Sequence, residues 1–122
     1  MSLVPGRQPY TVIYDVDAVS ELVTAVKSKD ANRSIVNAVL KLCELGERLE
    51  PPHMKPLQGP AASGLRELRP KQGRSDWRAI YRRAGSVYVI LAVGRHANFG
   101  SLIARAAERA RRYDSPGSRV IS

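Results

Sequence analysis

Arginines recur in the second half of this sequence at positions suited to binding an anion. In the strand-like segment 77–82, Arg78 and Arg82 are four residues apart, so strand alternation places them on one face. A guanidinium donates paired hydrogen bonds to phosphate oxygens and stays charged at physiological pH. Further on, Arg95 is followed by His96, and a histidine, with an ordinary pKa of about 6.5, can transfer a proton near neutral pH. These residue types suit phosphate binding and proton transfer.

The net charge points to the class of partner. The chain has 20 lysines and arginines against 11 aspartates and glutamates, a formal charge of +9. This excess favours a polyanionic partner, and nucleic acid, an acidic membrane and an acidic protein all remain open. Cys43 is the single cysteine, which excludes an intramolecular disulfide. With only two histidines, the chain also cannot form a structural zinc site of Cys and His ligands.

Length and hydropathy predict a single domain. A chain of 122 residues, 43% of them hydrophobic, can bury one core but is too short for two ordinary domains, so we expect one domain over residues 1–122. The longest apolar stretch, residues 87–93, is far shorter than the roughly 20 residues that span a bilayer. The N-terminus lacks an apolar signal core. We therefore expect a soluble cytoplasmic protein with flexible tails at residues 1–9 and 114–122.

Apolar periodicity and turn residues predict the order of the elements. β-branched and aromatic residues indicate strands, and apolar residues at helical spacing indicate helices, the first capped by Asp15 or Asp17. Residues 51–64 are rich in proline and glycine and predict a loop. The predicted order is a strand at 10–14, helices at about 16–26 and 31–50, strands at 65–69, 77–82 and 87–93, and a helix at 98–113.

This order predicts an α+β fold. The strand-helix-helix unit is followed by a three-stranded antiparallel meander, because the turns between the last three strands are short and contain glycine. The C-terminal helix is amphipathic and completes a two-layer arrangement. We expect Trp77 and Tyr81 to lie in the core.

Short motifs within these elements narrow the fold to one superfamily. Their order and spacing resemble those of the RelE/ParE superfamily of type II toxins, closest to its HigB-like, phage-associated branch, and the resemblance covers roughly residues 10–113. The motifs are Lys55-Pro56-Leu57-Gln58-Gly59, Gly64-Leu65-Arg66-Glu67-Leu68-Arg69, Trp77-Arg78-Ala79-Ile80-Tyr81-Arg82, Gly94-Arg95-His96 and Ala106-x-x-Arg109.

The resemblance implies a toxin held silent by a cognate antitoxin, expected to be of the helix-turn-helix type. Such a toxin enters the ribosomal A site and cleaves mRNA by attack of a 2′-hydroxyl, with neither a metal nor another cofactor. The superfamily also contains ParE-like inhibitors of DNA gyrase. Because a fold does not determine a function, this alternative and a non-catalytic nucleic-acid-binding domain both remain open.

The resemblance also suggests catalytic residues. Arg78 occupies the position of a phosphate-contacting arginine, and His96 that of a residue near the scissile phosphate, where it would act as general acid. The lysine that serves some relatives as general base is missing here. Glu67 could replace it. The chain could rely on Lys55, His53 and His96 instead, or the activity could be lost, which would leave a binding protein. Strand alternation lets Arg78 and Arg82 line one concave surface only if that face of the sheet is open.

Basic residues around these positions are candidates for substrate binding, with a solvated basic rim as the alternative. His53 is a further candidate because it lies in the proline-rich loop. The arginines of the last helix, from Arg105 to Arg112, are either solvated or in contact with ribosomal RNA or an acidic antitoxin. The candidates for substrate binding are Lys55, Arg69, Lys71, Arg74, Arg82 and Arg95.

Overall fold

The computed structural model describes residues 10–113, and both predicted tails lie outside this range. Within it, no helix is long and apolar enough to cross a bilayer. The strands and α-helices are β1 (Thr11–Tyr14), α1 (Val16–Thr24), α2 (Lys29–Leu45), β2 (Met54–Pro56), β3 (Arg66–Leu68), β4 (Trp77–Ala84), β5 (Val87–Arg95) and α3 (Phe99–Ala110).

The strands form one sheet in the order β1-β5-β4-β3-β2. β1 pairs with β5 in parallel, whereas the other pairs are antiparallel, which confirms the α+β class, the element order and the antiparallel meander. β2 was not predicted, because it has only three residues within a segment that contains several prolines. A short edge strand containing Lys55 and Pro56 is a common way to prevent further strand pairing.

Helices cover both faces of the sheet, so the molecule has three layers rather than the two that we expected. α1 and α2 pack on the face formed by Trp77, Ala79 and Tyr81, all three buried, which confirms the predicted placement of the two aromatic residues. α3 packs on the opposite face, where Ile80 and Val89 lie. The amphipathic pattern of α3 shows that one helix face is buried, but not on which side of the sheet it lies.

A β-bulge adapts β5 to α3. Ile80 pairs with Ala92 whereas Tyr81 pairs with Ile90, so Leu91 is an extra residue in β5. The extra residue interrupts the alternation of side chains, and Leu91 and Ala92 both join the cluster beneath α3. The bulge therefore widens the apolar surface available to this helix.

Caps define the ends of the first two helices. Asp15 caps α1 by accepting a hydrogen bond from the amide of Asp17 at 2.8 Å, which resolves the choice between the two aspartates. α2 ends at Leu45, before Pro51, because Gly46 has φ 55° and ψ −123°, a conformation that favours glycine. A Cβ at this position would lie 2.7 Å from the Tyr10 ring, so the glycine also permits a close contact.

Glu21 joins α1, β5 and α3 at the part of β5 that lies beyond the end of β1. No strand within residues 10–113 pairs with that edge of β5. Its carboxylate accepts hydrogen bonds from the Val93 amide at 2.9 Å and from Arg105 and Arg109. Arg109 also donates to the Leu91 carbonyl at 2.9 Å. Burial by itself raises the pKa of Glu21, but the hydrogen bonds from Arg109 and Val93 and the nearby arginine charges lower this pKa overall.

Asp15 makes a second connection between α1 and the end of α3. It is fully buried, and it accepts hydrogen bonds from Arg112 at 3.0 Å and from the Tyr113 hydroxyl at 2.7 Å. Three arginines of the C-terminal helical segment, Arg105, Arg109 and Arg112, thus have carboxylate partners inside the protein. Solvation does not describe Arg109, whose side chain is only 12% exposed, whereas Arg112 is exposed as well as paired. Contact of these arginines with a partner stays a prediction.

Candidate functional site

The ends of four neighbouring strands, β2 to β5, lie at the same end of the sheet and bring several predicted site residues together. Trp77, at the start of β4, pairs with Arg95, at the end of β5. The backbone amide of Arg69, after β3, donates to the carbonyl of His53, before β2, at 2.9 Å. Residues far apart in sequence therefore share this end of the molecule, because antiparallel strands alternate in direction.

Arg78 and Glu67 lie beneath this end as a buried ion pair. The Arg78 Nε is 2.6 Å from the Glu67 Oε2, and each residue is only 4% exposed. The condition that Arg78 and Arg82 could line one concave surface only on an open face is therefore not met at Arg78. Because substrate would have to displace this pair to reach either group, the geometry does not support a phosphate contact for Arg78 or a general base role for Glu67.

Arg78 instead holds the loop between β3 and β4. Its guanidinium donates to the carbonyls of Ser75 at 2.5 Å, Trp77 at 2.8 Å and Gly73 at 3.2 Å. Within this loop Lys71 and Gln72 have φ of 54° and 59°, in the left-handed region that non-glycine residues rarely adopt. Such strain persists only where surrounding contacts enforce it, and Arg78 anchors the chain at Gly73, directly after these two residues.

Gly73 completes the loop by leaving room for Arg69. Its φ is 93°, and a Cβ there would lie 2.6 Å from an Nη atom of Arg69. Among the described residues, the Arg69 Nε is buried and has no hydrogen-bond partner. Arg69 therefore keeps unused hydrogen-bonding capacity where the loop faces α2.

A pocket of about 370 Å³ lies between this loop and α2, and we name it the basic groove. It brings together three predicted substrate-binding residues, Arg69, Lys71 and Arg74, and the further candidate His53. Lys71 and Arg74 are exposed, and neither side chain has a hydrogen bond or ion pair among residues 10–113. The strained loop thus presents to the groove two cations, Lys71 and Arg74, that have no partner within that range.

Arg95 and His96 lie at the same end of the sheet, where β5 finishes. The Arg95 guanidinium lies 4.7 Å above the Trp77 ring, which fixes the orientation of the arginine. His96 is exposed, its ring centroid is 5.5 Å from that of Phe99, and its backbone amide donates to the Asp76 carbonyl at 2.7 Å. This last bond joins the end of β5 to the loop that carries Arg74.

Lys55 and Arg82 lie apart from this assembly. Lys55 is exposed on the edge strand β2, opposite Glu67, and does not line the basic groove. Arg82 is half-buried four residues beyond Arg78 along β4, a separation of about 13 Å for an extended chain. The structure thus does not bring these two candidates to the strand ends.

The wall of the groove that α2 provides was not among the residues predicted from the sequence. Arg33, Asn37 and Lys41 recur every four residues and line the groove from α2. This spacing places them on one helix face and could have identified them as a group. It was missed because polar residues at helical spacing normally indicate a solvated surface.

Comparison with known proteins gives the family. No curated protein sequence matches the chain significantly. Among solved structures, a chain in the crystal structure of the E. coli DinJ-YafQ toxin-antitoxin complex is similar, with a TM-score of 0.48 and 19% sequence identity. The similarity covers 72% of this chain and 93% of that chain. The family model for phage-derived Gp49-like proteins matches residues 25–111. The chain therefore belongs to the Gp49-like family of phage-derived proteins, a family of RelE/HigB-type toxins.

Proposed function

We propose that this toxin is a ribosome-dependent endoribonuclease that cleaves translated mRNA in the cytoplasm. One observation carries the proposal: an exposed imidazole, His96, and an exposed guanidinium, Arg95, are adjacent at the end of the sheet that also bears the basic groove. A proton donor, a phosphate ligand and a cationic path for RNA are thus grouped on one end of the molecule.

In the proposed reaction, the 2′-hydroxyl of one nucleotide releases its proton to solvent water as its oxygen attacks the adjacent phosphorus. The bond from phosphorus to the 5′-oxygen breaks, and His96 donates a proton to that leaving oxygen. Arg95 donates hydrogen bonds to the phosphoryl oxygens, whose negative charge grows in the transition state. The products are a 2′,3′-cyclic phosphate and a 5′-hydroxyl, and the residues named require no metal.

Lys71 and Arg74 bind neighbouring phosphates in this scheme. Both are exposed on a loop whose backbone the buried Arg78 holds at Gly73 and Ser75, so the loop is in place before RNA arrives. Arg78 and Glu67 therefore act as positioning residues rather than as groups that touch the substrate. This scheme assigns no contact with RNA to Lys55 or Arg82.

The proposed partners are a cognate antitoxin and the ribosome. Family membership supports the antitoxin, and the resemblance to HigB-like toxins favours one of the helix-turn-helix type. The charge of +9 supports association with ribosomal RNA, because a basic protein gains affinity from the release of counterions.

Induction of the chain in a bacterial host tests this proposal. We expect growth arrest and new mRNA 5′ ends within translated codons, mapped by primer extension. His96→Ala should abolish both effects, whereas Arg48→Ala, which removes an exposed charge outside the groove, should retain them. Growth arrest with intact mRNA and accumulating DNA breaks would instead indicate inhibition of gyrase, and unaffected growth would indicate a non-catalytic domain.

A further inference from the structure

We propose that the α2 wall of the basic groove is a binding site for single-stranded RNA, in which one base lies on the groove floor and phosphates contact the two cationic walls. This inference rests on the proposed function, because it names how the same toxin would hold its RNA beside Arg95 and His96. It assigns ligand contacts to Arg33, Asn37 and Lys41.

The groove concentrates unneutralised positive charge. Arg33 and Lys41 project from α2, and Lys71 and Arg74 project from the opposite loop. Among the described residues, none of these four side chains has a hydrogen bond or an ion pair, and Asp30 is the one acidic residue in the lining. The arginines of α3 differ, since Arg105 and Arg109 share the Glu21 carboxylate. An anionic ligand is therefore expected at the groove and not at α3.

The floor of the groove suits a nucleobase. The apolar residues of the lining are the half-buried Ala38 and the buried Leu49 and Leu68, which we take as the floor between the α2 and loop walls. The volume of about 370 Å³ is within the range of roughly 300–1,000 Å³ typical of pockets for small organic ligands. Asn37 is exposed on the α2 wall and carries both a donor and an acceptor for the edge of a base.

The arrangement favours RNA over an acidic peptide for two reasons. First, cations flank the apolar floor on both sides, which matches a base with a phosphate on either side along a strand. Second, Arg78 bonds the loop at Gly73, directly after the left-handed Lys71 and Gln72, and the lining residue Arg69 has a buried Nε without a partner among the described residues. A preformed wall with unused donors lowers the entropic cost of binding a flexible strand.

Binding of a fluorescent 2′-O-methyl RNA oligonucleotide to the purified full-length protein tests the inference. This probe lacks the attacking 2′-hydroxyl, so binding is measured independently of cleavage. Arg33→Ala/Lys41→Ala should weaken binding on the order of tenfold and reduce the slope of log K against log salt by about 1.4, the value for two lost phosphate contacts. The matched control, Arg48→Ala/Arg111→Ala, removes the same charge from exposed positions outside the groove and should change affinity less than about twofold.

Each outcome decides the inference. Equal loss of affinity in the two double variants would overturn it, as would the absence of binding by the wild-type protein. A parallel titration with an oligoglutamate peptide identifies the competing occupant: if Arg33→Ala/Lys41→Ala weakens only peptide binding, the groove is a site for an acidic protein segment. A wild-type protein that binds the oligonucleotide but causes no mRNA cleavage in cells would overturn the nuclease proposal and leave this RNA-binding site intact.

Discussion

Arg78 and Glu67 form an ion pair of 2.6 Å in which each side chain is only 5% exposed. The pair connects β4 to β3, and the remaining donors of Arg78 hold the loop that follows β3. A buried pair of this kind contributes to specificity of structure more than to net stability, but removal of one partner leaves a buried charge without compensation. Arg78, the residue predicted from the sequence to contact phosphate, therefore supports the loop that carries Lys71 and Arg74.

Glu67→Gln should lower the free energy of unfolding by about 3–5 kcal/mol, because the Arg78 charge would remain buried and unpaired. Urea denaturation measures this change. The double variant Glu67→Gln/Arg78→Met should be less destabilised than the sum of the two single variants. Additive single effects would show that the two side chains do not interact.

Gly46→Ala should lower the free energy of unfolding more than Gly85→Ala does. Both glycines have positive φ, at 55° and 63°, so each substitution introduces backbone strain of about 1–2 kcal/mol. Only at Gly46 would the new Cβ also meet the Tyr10 ring at 2.7 Å. Equal midpoints for the two variants in thermal unfolding would contradict this contact.

The Glu21 network should make stability depend on pH. The folded-state pKa of Glu21 is lowered, so its contribution is present above its unfolded pKa, about 4.3, and is lost as pH falls through the folded value. Glu21→Gln should lower the free energy of unfolding by about 1.5–3 kcal/mol at pH 7, as expected for lost charged hydrogen bonds. Urea denaturation at several pH values should show the difference from wild type shrinking below about pH 4. A difference in free energy of unfolding between wild type and Glu21→Gln that is constant with pH would contradict a lowered pKa of Glu21 in the folded state.

Lys71→Ala/Arg74→Ala should impair RNA binding more than the chemical step. Both side chains would contact phosphates away from the bond that breaks, so we expect KM to rise on the order of tenfold and kcat to change less than about threefold. Cleavage of ribosome-bound mRNA by the purified protein measures both constants. A fall in kcat with unchanged KM would place these residues at the reacting phosphate instead.

The antiparallel order of the strands, which the short turns predicted, brings several candidate residues to one end of the sheet, although this convergence was not itself predicted. Arg69, Lys71, Arg74, Arg95 and His96 all lie at that end of the sheet, as their positions before or after predicted strands imply. The position of Arg78 could not be predicted in the same way. Strand alternation divides β4 into two faces, but it does not say which face a distant helix covers. α3 covers the face that would have to be open for Arg78 to reach a substrate.

Long-range pairing accounts for the other differences. Arg105, Arg109 and Arg112 follow the pattern of a solvated helix face, yet their partners Asp15 and Glu21 precede them by more than 80 residues. Arg33, Asn37 and Lys41 are regularly spaced in the sequence, but they form a groove wall only because the loop between β3 and β4 lies opposite them. Both features arise from tertiary contacts that a local pattern does not contain.

The most direct test of the nuclease account is to identify the ends produced when purified protein acts on ribosome-bound mRNA. The account predicts fragments with 5′-hydroxyl and 2′,3′-cyclic phosphate ends, and a rate about 10²–10⁴ times lower for folded His96→Ala, which lacks the proton donor. Fragments with 5′-phosphate ends, or an unchanged rate in His96→Ala, would contradict the proposed chemistry.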